Sequence, residues 1–249
     1  MGSYGTEMRG FVIAISFLTR IPVPARVHTD RDIALGVPWF PVVGALIGVL
    51  CALIYGAALS EFPPFLSATL ALTAGVLLTG AFHEDGLADT FDAFAGGWTK
   101  EERMRILKDP THGTYGVLAL ALSAMLRAAA ITTFTFPIAL AVLPAAHAVS
   151  RSASVALLGT MRPAGEGLGA SYGAAVTSRR AAVGVVIGLL IGAAGLGVWL
   201  LPVVGVVSLC TWVVGRWSLA KIGGISGDAL GATQQITEIA VLAVAVAMV

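Results

Sequence analysis

The sequence predicts an all-α integral membrane protein: a polytopic helical bundle with about six to seven transmembrane helices and catalytic loops on the cytoplasmic side. Three observations carry this. The first is composition: of 249 residues, 57% are hydrophobic and 12% charged, against about 25% charged in a soluble domain. The mean hydropathy is +0.89. The second is a series of long apolar stretches. The third is the way positive charge is shared among the segments between them.

A bilayer-crossing helix needs about 20 apolar residues. Met8 to Leu18 is apolar but short. It lacks a small-residue cleavage site and runs into Thr19-Arg20-Ile21-Pro22-Val23-Pro24, so it does not read as a cleavable signal peptide. The expected spans are Leu35 to Leu59, Pro64 to Ala81, Gly116 to Thr135, Phe136 to Gly159, Ala181 to Leu200 and Leu201 to Leu219. Ile236 to Val249 is apolar and short, a candidate seventh. No repeat or low-complexity linker divides the chain, so residues 1–249 read as one domain.

Three connections are short and hold no Lys or Arg: around Ser60 to Pro63, Phe134 to Pro137 and Leu200 to Pro202. The segments on the other side hold thirteen of the fifteen basic residues. These are Arg9, Arg20, Arg26 and Arg31 at the N-terminal end; Lys100, Arg103, Arg105 and Lys108 in Phe82 to Tyr115; Arg162, Arg179 and Arg180 in Met161 to Arg180; and Arg216 and Lys221 in Arg216 to Gln235. Positively charged loops stay in the cytoplasm, so all these segments are expected there. The net charge of +1 presents no basic face for nucleic acid. Cys51 and Cys210 sit inside apolar runs and read as small core residues rather than a disulfide or metal pair. Arg127 and Arg151 fall within spans, where charge is costly and marks a candidate functional site. His147 lies one turn before Arg151 on the same helix face.

The most informative stretch is His83-Glu84-Asp85-Gly86-Leu87-Ala88-Asp89-Thr90-Phe91-Asp92. It holds four of the fourteen acidic residues within nine positions. Asp85, Asp89 and Asp92 recur at i, i+4 and i+7, which puts three carboxylates on one helical stripe. Such like charges repel, and a divalent cation removes the repulsion. Carboxylate oxygens suit Mg²⁺, which typically binds one or two carboxylates together with substrate phosphates. Downstream, Thr99 with Glu102 forms a capping box that should start a short helix. Gly113-Thr114-Tyr115-Gly116 suits a tight turn whose free N–H groups approach an anion. The glycine-rich Lys221 to Glu238 segment carries Asp228 and is either a second polar site or a flexible connection.

Taken together these blocks resemble the cobalamin synthase family, the adenosylcobinamide-GDP ribazoletransferases. The resemblance runs in order through Phe17-Leu18-Thr19-Arg20-Ile21-Pro22-Val23-Pro24, Phe40-Pro41-Val42-Val43-Gly44, the His83 to Thr90 block, Lys108-Asp109 with Gly113 to Gly116, and Gly223 to Gly231. His112 departs from the family pattern, which expects an apolar residue there, and is given no role. The resemblance implies a Mg²⁺-dependent, multi-pass enzyme of the bacterial inner membrane. It would join adenosylcobinamide-GDP to α-ribazole or its 5′-phosphate, releasing GMP and completing the nucleotide loop of the corrinoid. On that basis Glu84, Asp85, Asp89 and Asp92 are the candidate Mg²⁺ ligands. Asp92 is alternatively the base, and His83 orients a carboxylate or binds phosphate. Lys108 and Arg151 are candidates for neutralising the leaving GMP, Gly113 and Thr114 for binding substrate, and Asp228 for completing the metal site or holding a substrate hydroxyl.

Two alternatives stand beside this. A membrane phosphotransferase of the CDP-alcohol type also places acidic residues beside Mg²⁺, but Ala88-Asp89 stands where such enzymes carry Ala-Arg. A transporter would use Arg127, Arg151 and His147 along its pathway, leaving the loop carboxylates without a task. The sequence leaves open whether the chain self-associates as a homo-oligomer.

Overall fold

The computed structural model describes residues 3–23, 30–165 and 175–247, and within these every regular element is helical. Arg26, and the 166–174 part of the Met161 to Arg180 segment, lie outside the described residues. The N-terminal α1 (Ser3–Leu18) and α2 (Asp30–Gly36) are joined by an ion pair between Arg9 and Asp32 at 2.6 Å. They precede α3 (Phe40–Ala58) and α4 (Pro64–Thr79). The short α5 (Phe82–Phe91), a wide π turn (Asp92–Gly96) and α6 (Lys100–Ile106) follow. Then come α7 (Thr114–Ile131), α8 (Phe136–Thr160), α9 (Ser178–Leu196), α10 (Leu200–Ile222) and α11 (Gly227–Val246).

Among the described residues, five helical stretches are long and apolar enough to cross a bilayer, and a sixth is formed if α4 and α5, bent by 92°, count as one. The longest, Ser178–Ile222 with 45 residues, would be about 67 Å long as one straight helix, more than twice the ~30 Å hydrocarbon core. It doubles back instead. Gly184 lies against Val155 and Gly195 against Ala141, whereas Gly215 has returned to Leu157 and Met161. The stretch therefore supplies two crossings, as the separate Ala181 and Leu201 spans anticipated.

The packing reverses that of a soluble bundle. On α7, Ser123, Arg127, Ala128 and Ile131 are buried, while Leu118, Leu122, Met125 and Leu126 are exposed. In lipid the apolar face needs no cover, and the polar groups turn to one another. The helix α8 occupies the middle of the bundle, with Ala139, Val142, Ala146, Val149 and Arg151 all buried among its neighbours.

The two ends of the bundle differ. At one end Tyr55 of α3 donates its hydroxyl proton to the Phe134 carbonyl at 3.0 Å, tying α3 to the short connection between α7 and α8. At the other, the charged segments meet. Arg103 donates to the Lys221 carbonyl at 3.2 Å, and Arg180 to the Ala34 carbonyl at 3.1 Å. The backbones of Arg162 to Ala164 and Ile225 exchange hydrogen bonds of 2.9 Å each way. The charge pattern of the sequence thus matches the geometry.

One expectation needs correction. The Arg216 to Gln235 segment is not a long loop: α10 runs to Ile222, α11 begins at Gly227, and Ser226 caps it by accepting from the Ala229 N–H at 3.1 Å. The final span is therefore a full 20-residue helix, and its polar first half is buried. Hydropathy alone misplaced its start because Thr233, Gln234, Gln235 and Glu238 face other helices rather than lipid.

Candidate metal centre and the buried ionic group

The site begins at the break between α4 and α5. Gly80 and Ala81 both adopt left-handed backbone, with φ of 66° and 58°. Two such residues in succession turn the chain by nearly a right angle, so α5 leaves the direction of the span and lies across the charged end of the bundle. It is held there by a close helix contact. A Cβ on Gly86 would come within 2.8 Å of the Asp228 carbonyl, and one on Gly231 within 3.3 Å of the Gly86 Cα. At Gly86 only a glycine allows α5 and α11 to approach this far.

On the outer face of α5, Asp85 and Asp89 face His112 from the loop between α6 and α7. The imidazole Nδ1 is 3.3 Å from an Asp89 oxygen and its Nε2 is 3.7 Å from an Asp85 oxygen. One ligand atom from each residue can be chosen so that all three lie within 4.8 Å of one another. Asp85 is exposed and Asp89 buried. Burial pushes the Asp89 carboxyl up to about 7, and the neighbouring charges of Asp85 and Asp228 push it the same way. Positive charge placed between these carboxylates would relieve that repulsion. Two carboxylates and an imidazole fit a divalent ion: the oxygens suit Mg²⁺ or Mn²⁺, and the ring nitrogen is a donor that Mn²⁺ accepts more readily than Mg²⁺.

The structure does not bring Asp92 into this group. It continues the stripe, but its carboxylate accepts from the Gly113 N–H at 2.7 Å and the Gly116 N–H at 2.9 Å. The anion expected at the Gly113-Thr114 turn is therefore a side chain of the protein. Asp92 caps the N-terminus of α7, where the unpaired N–H groups and the helix dipole favour negative charge. Loop geometry follows from this bond and from Asp109, which accepts from the Thr111 N–H and hydroxyl at 3.0 and 2.6 Å. Those bonds hold the Asp109 carboxyl below its usual range. Together they present His112.

Glu84 does not join the group either. It points the other way, into the bundle, and accepts from Arg127 at 3.3 and 3.4 Å and from Gln235 at 3.0 Å. Arg127 also reaches Glu238 at 3.4 Å, and Glu238 lies 3.5 Å from the His147 ring. Arg151 donates to the His147 ring nitrogen at 3.1 Å and to its carbonyl at 3.0 Å. His83 and Arg151 both line the cavity around this ionic group, and both also line an apolar cavity walled by Phe17, Phe40 and Phe82. Arg151 Nε and Glu84 Oε2 are buried with no partner among the described residues. Lys108 is exposed in the loop after α6. Thr114 opens α7 beside the Asp92 cap. Asp228, in the first turn of α11, is close enough to Asp89 to act on its charge.

Sequence reasoning missed His112 and Glu238. The signal for the first was a ring donor on the same side of the membrane as three clustered carboxylates. For the second it was an acid close to the last apolar stretch of a chain whose other spans hold two arginines, Arg127 and Arg151, with no acid in the same span. The capping box was read correctly: Thr99 accepts from the Glu102 N–H at 3.1 Å and starts α6, while Glu102 accepts from the Trp98 N–H at 2.9 Å. Cys51 and Cys210 are free thiols.

A family model described as cobalamin-5-phosphate synthase matches residues 10–246. The chain belongs to this family. Membership makes it a transferase of cobalamin biosynthesis. Among its relatives, a protein of Shewanella sp. (strain W3-18-1) is 37% identical over 95% of this chain and 93% of its own length. One from Shewanella frigidimarina is 38% identical over 94% and 92%, and one from Ralstonia nicotianae is 38% identical over 97% and 96%. Each of these family members is named adenosylcobinamide-GDP ribazoletransferase. No solved structure matches this chain.

Proposed function

We propose that the protein joins adenosylcobinamide-GDP to α-ribazole or its 5′-phosphate, forming adenosylcobalamin or its 5′-phosphate and GMP, with a divalent cation, Mg²⁺, held by Asp85, Asp89 and His112. The observation that carries the reading is the convergence of these three side chains within 4.8 Å, in a family whose relatives bear the ribazoletransferase name. When bound by these residues, such a cation would neutralise charge on a diphosphate. In the reaction a ribose hydroxyl oxygen bonds to the phosphorus on the cobinamide side, the bond from that phosphorus to the bridging oxygen breaks, and GMP leaves with that oxygen. Such transfers depend mainly on positioning and charge stabilisation.

The chain's own residues divide the remaining work. Asp92 orders the His112 loop through two backbone N–H groups. Asp228 lies beside the pair, where a carboxylate holds the attacking hydroxyl and takes up its proton. The apolar cavity walled by Phe17, Phe40 and Phe82 opens beside His83 and receives an apolar part of a substrate. Of the intramembrane charges that favoured a transporter, Arg127 is paired with Glu84 and Glu238, and Arg151 is hydrogen-bonded to the His147 ring and carbonyl. In this reading the protein spans the bacterial inner membrane with its charged end in the cytoplasm, and the positive segments at that end support it.

The test is incubation of the purified protein with adenosylcobinamide-GDP, α-ribazole and Mg²⁺, with chromatographic quantitation of GMP and corrinoid. Equimolar GMP and adenosylcobalamin are expected, and Asp85→Asn and Asp89→Asn should each abolish both. Absence of GMP with the unaltered protein, or near-normal turnover by either variant, would refute the assignment.

A further inference from the structure

We propose that Glu84, Arg127, Gln235 and Glu238 are a positioning group that sets the rotation of α5 and so aims Asp85 and Asp89 at His112; this rests on the cation reading above. Adjacent residues of an α-helix point about 100° apart. Glu84 and Asp85 are adjacent, so fixing one fixes the other. Glu84 is fixed from two directions, by Arg127 of α7 and by the Gln235 amide of α11. The anchors are themselves buried: Arg127, Gln235 and Glu238 are 5%, 2% and 2% exposed. Arg127 is shared between Glu84 and Glu238, and Gln234 donates to the far oxygen of Glu238.

Rolling α5 about its axis would pull Glu84 away from Arg127 inside a low-dielectric bundle, where an uncompensated charge is strongly disfavoured. Asp85 and Asp89 lie one position and one turn further on. Their direction toward the loop is therefore set by bonds made on the opposite face of the same helix. A purely structural ion pair would stabilise the bundle without affecting the cation.

The experiment measures Mn²⁺ binding to the detergent-purified full chain by electron paramagnetic resonance, without substrate. The variants are Glu84→Gln, Arg127→Lys and the two combined, each checked for folding by thermal unfolding and gel filtration. Each single change should weaken Mn²⁺ binding about tenfold, as loss of a group that orients a ligand does. The combined variant should be no weaker than the worse single one, because both act through one contact. Gln235→Leu, which removes the other Glu84 partner without touching the ion pair, should behave similarly and carries the test if Arg127→Lys does not fold.

Unchanged Mn²⁺ binding in folded variants would overturn the proposal. So would a combined loss equal to the product of the single losses, which would make Glu84 a ligand in its own right. Failure of the unaltered chain to bind Mn²⁺ would instead sink the cation reading, and this inference with it.

Discussion

Ala81 is a non-glycine residue in left-handed backbone, at φ 58°, directly after Gly80 at φ 66°. For an alanine that conformation costs about 1–2 kcal/mol, and strained backbone of this kind collects at functional sites. Here it provides the right-angle turn that lays α5 across the bundle. Ala81→Gly should relieve the strain and raise the unfolding temperature slightly. Gly80→Ala should lower it by more than about 1 kcal/mol in stability, since the new Cβ would also strike the Arg20 guanidinium. Paired thermal melts in one detergent test both, and a Gly80→Ala melt equal to the parent's would show that the turn tolerates side chains. At this scale the sequence was partly legible. The spacing of Asp85 and Asp89 announced a shared face, but no spacing rule could show that Asp92 is claimed by two N–H groups 21 and 24 residues away. Glu84 is likewise indistinguishable in sequence from its acidic neighbours. Only the helix rotation separates the carboxylate that faces the bundle from those that face the loop.

Among the elements, the contact of α5 with α11 sets the distance from Asp85 and Asp89 to Asp228. Gly86→Ala would drive a methyl group into the Asp228 backbone, whereas the methyl of Gly231→Ala would meet its neighbours at 3.3 Å. Turnover should therefore fall far more in Gly86→Ala than in Gly231→Ala. Equal activity of the two would mean that the helices can separate without consequence. The ion pairs joining α5, α7 and α11 make a second element-scale prediction. Arg127→Met leaves Glu84 and Glu238 buried without their counter-charge, and removal of one partner from a buried pair costs about 3–5 kcal/mol. The melting temperature should drop sharply, and Glu238→Gln introduced into Arg127→Met should recover part of the loss. The start of α11 was illegible for a physical reason. Hydropathy reports whether a segment prefers lipid, and much of residues 227–238 is buried against other helices, where Gln234, Gln235 and Glu238 find partners while Thr233 and Thr237 bond back to carbonyls of their own helix.

For the molecule as a whole, alternation of short connections without Lys or Arg and longer basic ones ordered the spans in the sequence, because the energetics of insertion act on positive charge regardless of tertiary packing. The prediction that follows is topological. Single cysteines at Thr99 and Arg179, in a background with Cys51 and Cys210 replaced, should react with an impermeant maleimide from the same side of the membrane. A cysteine at Ser60 should react only from the other. Labelling of Ser60 and Thr99 from one side would break the alternation on which the arrangement of spans depends. The flanks of α7 and α10 leave Leu122, Met125, Leu209 and Trp212 turned outward, where an apolar surface suits lipid.

The carboxylate pair sits between two fixed points. Glu84, next to Asp85, is moored to α7 and α11, and Asp92, three residues beyond Asp89, is moored to the first turn of α7. A ten-residue helix is too short to hold its own shape in water. Here it behaves as a beam resting on two piers, with the ligands on the span between them. Stiffness at the centre of such a beam comes from its supports, so the amides of residues 85–92 should exchange with deuterium as slowly as those of the membrane helices, while α6, which has no fully buried residue, exchanges early. Cutting either pier, with Glu84→Gln or Asp92→Ala, should release exchange along the whole beam rather than at its own end.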